Sequence, residues 1–387
     1  MTDEYDVIVV GVGGMGSAAC THLAERGVDV LGIERFGVPH TNGSSHGSTR
    51  IIRKAYHEHP DYVPLVERAY ENWRDLEAAT DRDLLHVTGS VCAAPADGDL
   101  VANARRACEE HGLSYDDLTA SELNDRFPGY GIPEGYDALY QADGGFLDCE
   151  RAVIAHVERA QAAGGTVHAR EKVTAWSVDE PAGDAEEGRV TVETERGTYT
   201  ADSLVLAAGA WSANLLPDLA GDAIPERQVL GWFQPPEPSD FTPETFPVFV
   251  TEADDGTEYY GFPRYDRPGV KVGVYHHLHE KADPDDLADP TREDERELRR
   301  VLSDHFPAAD GPTMGLSSCM FTNTPDMDFV VDTLPNQSNV VVAAGFSGHG
   351  FKFSSAIGEA LADLATDGET ELPIDGFAID RPALTDA

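Results

Sequence analysis

Four cationic side chains stand where they could act on a bound anion. Lysine is rare in this acidic chain, yet Lys271 lies in an apolar predicted strand and Lys352 in a Gly-rich turn. A buried lysine is costly unless it is paired, so either a function or a structural ion pair must account for each. Arg50 and Arg53 enclose two isoleucines, which disfavours solvent-facing positions, and a guanidinium can grip a carboxylate through two hydrogen bonds. These residues predict a site for an anionic group.

Cysteine and histidine give weaker signals. Cys319 is isolated in the sequence, and a single cysteine is more often a small buried hydrophobe than a reactive thiol. His276, His277 and His279 resemble a metal-binding cluster, but the sequence supplies no carboxylate at a matching spacing. The 5 cysteines form neither a CxxC pair nor a zinc spacing. We therefore predict no bound metal and no disulfide framework.

The long polar segment that leads into Arg50 is a candidate active-site loop. It runs from Arg35 through Ser45, His46 and Thr49 and is dense in Gly, His and Arg. Loops held by a rigid scaffold often carry chemistry. The alternative is a solvated connection between two elements. We favour a functional loop because the segment directly follows residues 7–34, which carry a predicted dinucleotide-binding motif.

The segment from Val7 to Glu34 predicts the scaffold: a strand, a tight turn, a helix and a second strand. In a dinucleotide-binding turn the first glycine allows the bend, the second lets the backbone approach a pyrophosphate, and the third lets the helix pack on the strand. Free amides at the helix N-terminus then face the phosphates, and Glu34 can bind an adenosine ribose. A Gly-rich structural turn is the alternative. The contacts expected in this turn are Gly11, Gly13, Gly14, Met15 and Gly16.

Two further segments end in small residues that permit close approach to a cofactor. One apolar strand ends near Ala208 and Gly209, where plain tight packing is an equally good interpretation. A later strand enters a loop with Gly348 and Gly350 and then a helix. Helix N-termini from both ends of the chain are therefore predicted to serve one cofactor.

The remaining pattern predicts helices and strands in two domains, which suits a length of 387 residues. Thr119 and Glu122 fit a capping box, and residues 228–275 are rich in predicted strands. The absence of repeats and linkers indicates that the domains interleave. Further predicted helices are Pro60–Thr80, Glu150–Ala163 and Thr291–His305, and Lys172–Val178 and Arg189–Glu195 are predicted to form a hairpin or a meander across an acidic loop.

The charge balance excludes several classes of partner. The formal net charge is -42, and such an acid excess repels itself until salt screens it, with a Debye length of about 3 Å at 1 M. We expect a halophilic protein that binds neither nucleic acid nor an anionic membrane surface. Because no leader pattern or long apolar run is present, we expect a cytoplasmic protein. We also expect a monomer or a small homo-oligomer.

Four spaced motifs together resemble the monomeric sarcosine oxidase and N-methyltryptophan oxidase family of flavoenzymes along nearly the whole chain. They are DVIVVGVGGMGSAA, PHTNGSSHGSTRIIRKAY, YYGFP with the strand that holds Lys271, and CMFTNTPD through NVVVAAGFSGHGFKFSS. The resemblance implies an α/β fold in which a Rossmann-like FAD-binding domain interleaves with a substrate domain built on a mixed β-sheet with helices. The FAD-binding domain would comprise residues 1–82, 150–218 and 323–387, and the substrate domain residues 83–149 and 219–322.

The family's functional residues carry over onto matching positions of this chain. The resemblance implies that FAD is attached through a thioether to Cys319 and that Lys271, beside the flavin, promotes its reaction with oxygen. It also implies that Arg53 and Lys352 grip the substrate carboxylate. His46, Thr49, Arg50 and Tyr260 would line the flavin or substrate side of the cavity. Further cofactor contacts are expected from Arg35, Ser45, Ala208, Gly209, Gly348, Gly350 and Lys352.

Two positions depart from the sarcosine-specific members of the family. Those members place a tyrosine two residues after the flavin cysteine, where this chain has Phe321. They place a histidine four residues after the lysine, where this chain has Tyr275 and then His276. These positions are expected to touch the substrate, so the preferred amine stays open.

The resemblance implies an FAD-dependent oxidase that acts on a secondary amino acid, either sarcosine or another N-methyl amino acid. Hydride passes to the flavin, the imine hydrolyses, and O2 is reduced to H2O2. A dehydrogenase of the same fold with another electron acceptor, an oxidase of cyclic or D-amino acids, and a redox-inert FAD-binding scaffold are the alternatives. Arg53, Lys271 and Lys352 together argue against the scaffold.

Overall fold

Two eight-stranded sheets organise the protein, whose computed structural model describes residues 3–180, 188–219 and 221–385. One is named the parallel sheet for its core of five parallel strands, although it also carries three antiparallel strands, and the other is the mixed sheet. Residues 181–187, most of the predicted acidic loop, lie outside the described residues. The helices are α1 (Gly14–Glu25), α2 (Tyr62–Thr80), α3 (Asp99–His111), α4 (Ala120–Arg126), α5 (Cys149–Ala162), α6 (Ser212–Leu215), α7 (Arg292–His305), α8 (Ser354–Asp367) and α9 (Pro382–Thr385).

The strands follow the same chain order. They are β1 (Asp3–Val10), β2 (Val30–Ile33), β3 (Thr49–Ile52), β4 (Leu85–Val87), β5 (Ser90–Pro95), β6 (Asp116–Thr119), β7 (Tyr136–Gln141), β8 (Gly145–Asp148), β9 (Thr166–His168), β10 (Val173–Val178), β11 (Val190–Thr194), β12 (Thr198–Leu206), β13 (Ile224–Phe233), β14 (Val248–Glu252), β15 (Glu258–Phe262), β16 (Val270–Val274), β17 (Thr313–Asn323), β18 (Val330–Leu334) and β19 (Gln337–Ala344).

The parallel sheet places β1 between β2 and β12, with β9 beyond β2 and β19 beyond β12. The apolar run at the end of β1 is buried on both faces, as parallel strands covered by helices require. Helices α1 and α8 pack on this sheet through apolar side chains such as Leu23 and Leu361. The predicted strand, turn, helix and strand of residues 7–34 are confirmed, and so is the hairpin, which β10 and β11 form beside β12.

The mixed sheet runs in the order β17-β13-β16-β15-β14-β5-β7-β6. Its pairs are antiparallel except β14 with β5. Helix α7 begins at a capping box made by Thr291 and Asp294, and it buries Leu298, Val301 and Leu302 against an aromatic core. This sheet therefore has one face closed by a helix and another free to line a cavity.

A third, small sheet has three strands, in the order β3-β8-β4. Its first strand, β3, ends the predicted polar loop, so Arg50 lies on a strand paired with Leu147 and not on a free loop. The pairing of β3 with β8 fixes the backbone from which the Arg50 side chain extends. The predicted α/β fold, with a Rossmann-like part and a mixed sheet, is confirmed, whereas the residue boundaries of the two domains stay a prediction.

Other expectations meet mixed outcomes. The three predicted helices are α2, α5 and α7, with bounds that agree within two residues, and the capping box at Thr119 is present. Strand β17 and helix α3 were not predicted. No helix in the described ranges is both long and apolar enough to cross a membrane.

Candidate active site

The first of two adjoining cavities opens at the carboxyl ends of the parallel strands. Its wall includes residues that directly follow β1, β2, β12 and β19, which is where α/β sheets bind ligands. The predicted cofactor contacts that line it are Gly11, Gly13, Gly14, Met15, Glu34, Arg35, Ser45, Ala208, Gly209, Gly348 and Gly350. Segments from both ends of the chain therefore meet at one wall, as the motifs predict.

The glycine turn after β1 leaves no room for side chains. Gly11 has φ +92°, and a Cβ there would overlap the carbonyl oxygen of Ala207. A Cβ at Gly16 would overlap the carbonyl oxygen of Gly11, so Gly16 allows helix α1 to pack on the strand and is not part of the wall. Helix α1 begins at Gly14, whose backbone N–H donates to Oγ of Ser45 at 3.1 Å, and its N-cap residue Gly13 has no side chain to cap it. The first residues of the helix line the cavity, so the positive end of the helix dipole faces it, a cradle that fits a pyrophosphate.

Glu34 lines the same cavity as an ionised carboxylate. It accepts hydrogen bonds from the backbone N–H groups of Val12 and Phe36, each at 2.9 Å. Burial raises the pKa of Glu34, but hydrogen bonds from His40 and these amides outweigh it and hold the pKa below its usual value. A carboxylate keeps further lone pairs after accepting two bonds. It can therefore still accept from ribose hydroxyls, as the sequence predicts.

The structure differs from the prediction at the second Gly-rich loop. The loop that holds Gly348 and Gly350 lines the cavity, but α8 begins only at Ser354, behind a 3₁₀ turn at Phe351–Phe353. The loop and the N-terminal end of this 3₁₀ turn, which runs directly into α8, therefore meet the cavity, and α8 itself begins one turn further on.

The second cavity adjoins the first, and Arg50, Phe321, Gly348 and Phe351 line both. Its remaining wall comes largely from the mixed sheet and the small sheet. The predicted residues that line it are Arg50, Arg53, Tyr260, Tyr275, Cys319, Phe321 and Lys352. Residues separated by three hundred positions in the chain are thus placed around one space, as expected for a substrate cavity.

Arg53 offers unused donors to this second cavity. Its Nη2 donates to both carboxylate oxygens of Glu58 at 2.9 Å. Its Nε and Nη1 are buried and have no hydrogen-bond partner among the described residues. An unsatisfied buried donor costs free energy, about 1–3 kcal/mol. A ligand carboxylate would satisfy these donors.

Lys352 supplies a second buried cation to this cavity. It lies in the turn before α8, and its Nζ donates to the carbonyl oxygen of His349 at 2.5 Å and lies 3.5 Å from the Tyr56 hydroxyl. Burial lowers the pKa of Lys352 to about 7, with Glu58 opposing and Arg53 assisting that shift. A bound carboxylate would favour the charged form. The geometry thus places two buried cations on one substrate cavity.

Cys319 lies on β17 at the junction of the two cavities. Its Sγ is 3.7 Å from Nη2 of Arg50 and 3.9 Å from the carbonyl oxygen of Ser44. Burial raises the pKa of the thiol, but interactions with His46, the guanidinium of Arg50 and the Met320 backbone outweigh burial and lower the pKa to about 6. The thiolate is therefore the main form at neutral pH, which is the nucleophilic state of cysteine.

Three predicted site residues lie behind the cavity wall. Lys271 is 2% exposed, and its Nζ donates to the carbonyl oxygens of Gly47 and Thr49 at 2.8 Å and to Oγ1 of Thr49 at 3.2 Å. Burial, assisted by Arg50, holds the pKa of Lys271 well below its usual value. His46 is also buried, beside Cys319. These side chains fix the polar loop and set the electrostatic field near the thiol.

The histidine cluster divides between two surroundings. His277 Nε2 donates to the carboxylate of Asp294 at 2.7 Å in a buried group with Arg227. His276 lies 3.0 Å from Glu226, and neither residue is among those described that line the two cavities. The assumption that no carboxylate accompanies these histidines is wrong, because Glu226 of β13 places an oxygen near His276 and His279, with all three ligand atoms within 4.8 Å. The absence of a bound metal stays a prediction.

Among the residues that line the second cavity, Glu58, Glu258 and His57 were not predicted as site residues. Glu58 follows Arg53 by five positions, a spacing that could have suggested an ion pair. Glu258 directly precedes the YYGFP motif, but nothing local shows that it faces a cavity. His57 lies between these two carboxylates, 3.7 Å from each.

Comparison with known proteins gives a consistent result. Residues 6–364 match the family model DAO, FAD dependent oxidoreductase. The chain is 42% identical to a monomeric sarcosine oxidase of Bacillus sp. (strain B-0618), covering 100% of this chain and 98% of that protein. It is 34% identical to the N-methyl-L-tryptophan oxidase of Escherichia coli (strain K12), covering 98% and 99%. The open form of NikD, an unusual amino acid oxidase essential for nikkomycin biosynthesis, has a TM-score of 0.82 at 29% identity, covering 97% of this chain and 98% of that chain. This chain belongs to the FAD-dependent oxidoreductase family and, within it, to the family of monomeric sarcosine oxidases and N-methyl-L-tryptophan oxidases.

Proposed function

We propose that this protein is an FAD-dependent oxidase of N-methyl amino acids, with sarcosine among its substrates. The observation that carries the proposal is the pair of buried cations, Arg53 and Lys352, in a cavity that adjoins the dinucleotide cavity at Cys319. The overall reaction converts an N-methyl amino acid, O2 and water into the amino acid, formaldehyde and H2O2.

The chain's own residues bind and orient the substrate. FAD, when bound, supplies the two-electron acceptor for oxidation of the C–N bond. Arg53 and Lys352 hold the carboxylate, which restricts where the N-methyl carbon can lie relative to the junction of the cavities. Tyr260, Tyr275 and Phe321 cover the apolar part of the wall and limit access of water.

We further propose that FAD is attached through a thioether to Cys319. Support comes from the position of the thiol at the junction of the two cavities and from its low pKa, about 6. A thiolate is the form that attacks an electrophilic carbon. The guanidinium of Arg50 and the hydrogen-bonding contact with His46 favour the thiolate.

Lys271 is proposed to promote the reaction of reduced flavin with O2. A buried cation near the reacting groups stabilises negative charge that develops on oxygen. Lys271 Nζ is held by three oxygen atoms of Gly47 and Thr49, so its position is fixed before the reaction begins. This role favours an oxidase over a dehydrogenase with another electron acceptor.

The cellular setting is also a proposal. The net charge of -42 supports a high-salt cytoplasm, and a monomer or small homo-oligomer is proposed from the resemblance to monomeric relatives. We propose the same interleaved domains as the sequence predicts, 1–82, 150–218 and 323–387 against 83–149 and 219–322.

Oxygen consumption with an amine panel tests the proposed activity. Sarcosine, N-methyl-L-tryptophan, L-proline and D-alanine are supplied to the holoenzyme at high salt, and O2, H2O2 and formaldehyde are measured. The proposal expects N-methyl amino acids to yield equal amounts of H2O2 and formaldehyde. Oxidation of proline or D-alanine alone would favour the cyclic or D-amino acid alternative, and bound flavin that no amine reduces would favour the scaffold.

A further inference from the structure

We propose that His349 is a positioning residue for substrate binding: it fixes the hydroxyl of Tyr56, and that hydroxyl directs the ammonium of Lys352 towards the substrate carboxylate. The inference rests on the proposed function, since it assumes that Arg53 and Lys352 hold that carboxylate. It adds the two side chains that determine how the cations of this site are held before a substrate enters.

The ring of Tyr56 lies beside both cations of the proposed carboxylate site. The guanidinium carbon of Arg53 is 5.1 Å from the ring centroid, and Nζ of Lys352 is 4.9 Å from it. A cation at such a distance is attracted by an aromatic ring, and more strongly where water is excluded. Tyr56 is fully buried, at 0% exposure. One aromatic side chain therefore supports two cations that come from opposite ends of the chain.

The hydroxyl of Tyr56 is held in one direction by His349. Nε2 of His349 lies 3.0 Å from the carbonyl oxygen of Met327, which can only accept, so Nε2 carries a proton. Burial lowers the pKa of His349 to about 4, with Glu58 opposing and Lys352 assisting that shift. The imidazole is therefore neutral at neutral pH, and its Nδ1 is an acceptor. The hydroxyl of Tyr56, 2.5 Å from Nδ1, donates to it.

This tautomer of His349 decides what the hydroxyl of Tyr56 offers to Lys352. Because the O–H bond is directed at Nδ1, the lone pairs of the oxygen are free to accept, and Nζ of Lys352 lies 3.5 Å from that oxygen. Nζ also donates to the carbonyl oxygen of His349 at 2.5 Å. Among the described residues these contacts use two of the three ammonium protons, which leaves the third for a carboxylate. Without the Nδ1 acceptor, the hydroxyl could turn its proton towards the ammonium and repel it.

The charge of Lys352 is sensitive to such a contact. The titratable side chains that act on its ammonium or bond to it are Tyr56, His349, Arg53, His57 and Glu58. Burial lowers the pKa of Lys352 to about 7, with Glu58 opposing and Arg53 assisting that shift. A hydroxyl oxygen that accepts from the ammonium favours the charged form. Loss of this acceptor should therefore reduce the charged fraction of Lys352 near neutral pH.

Binding of propionate to the holoenzyme, followed through the flavin spectrum over a range of pH, tests this inference. Wild-type affinity should fall as pH rises through the pKa of Lys352. Tyr56→Phe and His349→Leu should each weaken binding at neutral pH by about 3- to 10-fold, the size of one hydrogen bond. Each should also move the alkaline loss of affinity to lower pH. His349→Asn, whose Oδ1 can accept from the Tyr56 hydroxyl in place of Nδ1, should restore part of the wild-type profile.

Steady-state and anaerobic kinetics separate positioning from a general structural role. In these variants the KM for sarcosine should rise, whereas the rate of flavin reduction at saturating sarcosine should stay close to the wild-type rate. The double variant Tyr56→Phe/His349→Leu should bind propionate no more weakly than the weaker single variant, because both changes act through one hydroxyl. Additive losses of affinity would overturn the inference.

Tyr62→Phe is the matched control variant. Tyr62 stacks on Tyr56 with ring centroids 5.0 Å apart, but its hydroxyl donates to Asp328 at 2.6 Å and bonds neither His349 nor Lys352. Its pH profile should equal that of the wild type. A wild-type profile in flavin-loaded Tyr56→Phe, or in both His349 variants, would overturn the positioning role and leave the proposed function in place. If no N-methyl amino acid reduces the flavin of the wild-type enzyme, the proposed function fails and this inference fails with it.

Discussion

The ammonium of Lys271 donates a 2.8 Å hydrogen bond to the carbonyl oxygen of Gly47, and this bond ties β16 of the mixed sheet to the polar loop that precedes β3. The same ammonium binds Thr49, so it fixes the chain immediately before Arg50. One buried cation therefore links the element that carries it to the segment that positions the groups around Cys319. Replacing Lys271 should therefore distinguish its structural contribution to this loop from its contribution to the reaction.

We predict that Lys271→Met slows reoxidation of the reduced enzyme by O2 by about 10²- to 10³-fold, the loss typical of removing one preorganised electrostatic group. Reduction by substrate without oxygen should change much less, because Arg53 and Lys352 still hold the carboxylate. Stopped-flow measurement of the two half-reactions checks this. The exposed Lys281→Met variant is the control and should leave both rates unchanged. Equal loss in both half-reactions of Lys271→Met would contradict the oxygen role.

The oxygen half-reaction should also depend on pH through Lys271. A lysine loses its charge as pH rises through its pKa, and burial holds the pKa of Lys271 well below its usual value. The rate of reoxidation should therefore fall on the alkaline side at a pH lower than an exposed lysine would give. A rate that stays constant across the alkaline range would exclude this lysine as the group that must be charged.

Arg53→Gln should weaken carboxylate binding by about 10- to 100-fold, which corresponds to one charge-assisted hydrogen bond. This substitution removes the buried Nε and Nη1 of Arg53, the two donors that are proposed to bind the ligand carboxylate. Arg53→Lys should not restore binding, because one ammonium cannot bond Glu58 and the ligand in the same fork geometry. The dissociation constant of propionate, measured from the flavin spectrum, reports this directly. Arg74, which forms an ion pair with Glu77 on α2, offers a control, because Arg74→Gln should leave the dissociation constant of propionate unchanged.

Cys319→Ser should release the yellow cofactor when the protein is precipitated with acid, whereas Cys149→Ser, another buried cysteine, should keep it attached. Because the pKa of Cys319 is about 6, the thiolate fraction falls as pH decreases through that value. Attachment of FAD to flavin-free protein should therefore be slower at about pH 5 than at about pH 7, which lie about one unit below and above this pKa. Colour retained by Cys319→Ser would refute the thioether.

Salt should stabilise the folded chain. Screening at high ionic strength weakens the repulsion among the acidic groups that produce a net charge of -42. The Tm should rise steadily between dilute buffer and molar potassium chloride. Choline chloride at equal ionic strength is the control and should act similarly if screening is the cause. A Tm that does not change with salt would show that the composition carries no salt requirement.

Local sequence signals predicted the parts of the fold that depend on neighbouring residues. The turn from Gly11 to Gly16 combines conformational and packing constraints that only glycine meets, so its geometry can be inferred from the sequence. Helices with an apolar face, such as α7, were equally accessible. Strand β17 was missed because its sequence, TMGLSSCMFTN, does not alternate between apolar and polar residues, and its pairing with β13 fixes it.

The electrostatics of the site depend on contacts that sequence spacing does not reveal. Lys271 and Lys352 were recognised because an isolated cation in an apolar or Gly-rich setting is unusual. Glu58 and Glu258 were missed, since acidic residues are abundant in this chain and only the folded structure shows which ones face the cavity. Glu226 meets His276 only through pairing of distant strands.

Anaerobic reduction of the flavin shows whether this chain oxidises N-methyl amino acids that it holds by their carboxylate. Sarcosine, N-methyl-L-tryptophan and Nα-methyl-L-lysine are each mixed anaerobically with the holoenzyme, and dimethylamine, which is sarcosine without its carboxylate, serves as the control. We predict that at least one N-methyl amino acid bleaches the flavin, that dimethylamine does not, and that Arg53→Gln abolishes the difference. Bleaching by dimethylamine as fast as by the amino acids, or by none of these compounds, would contradict it.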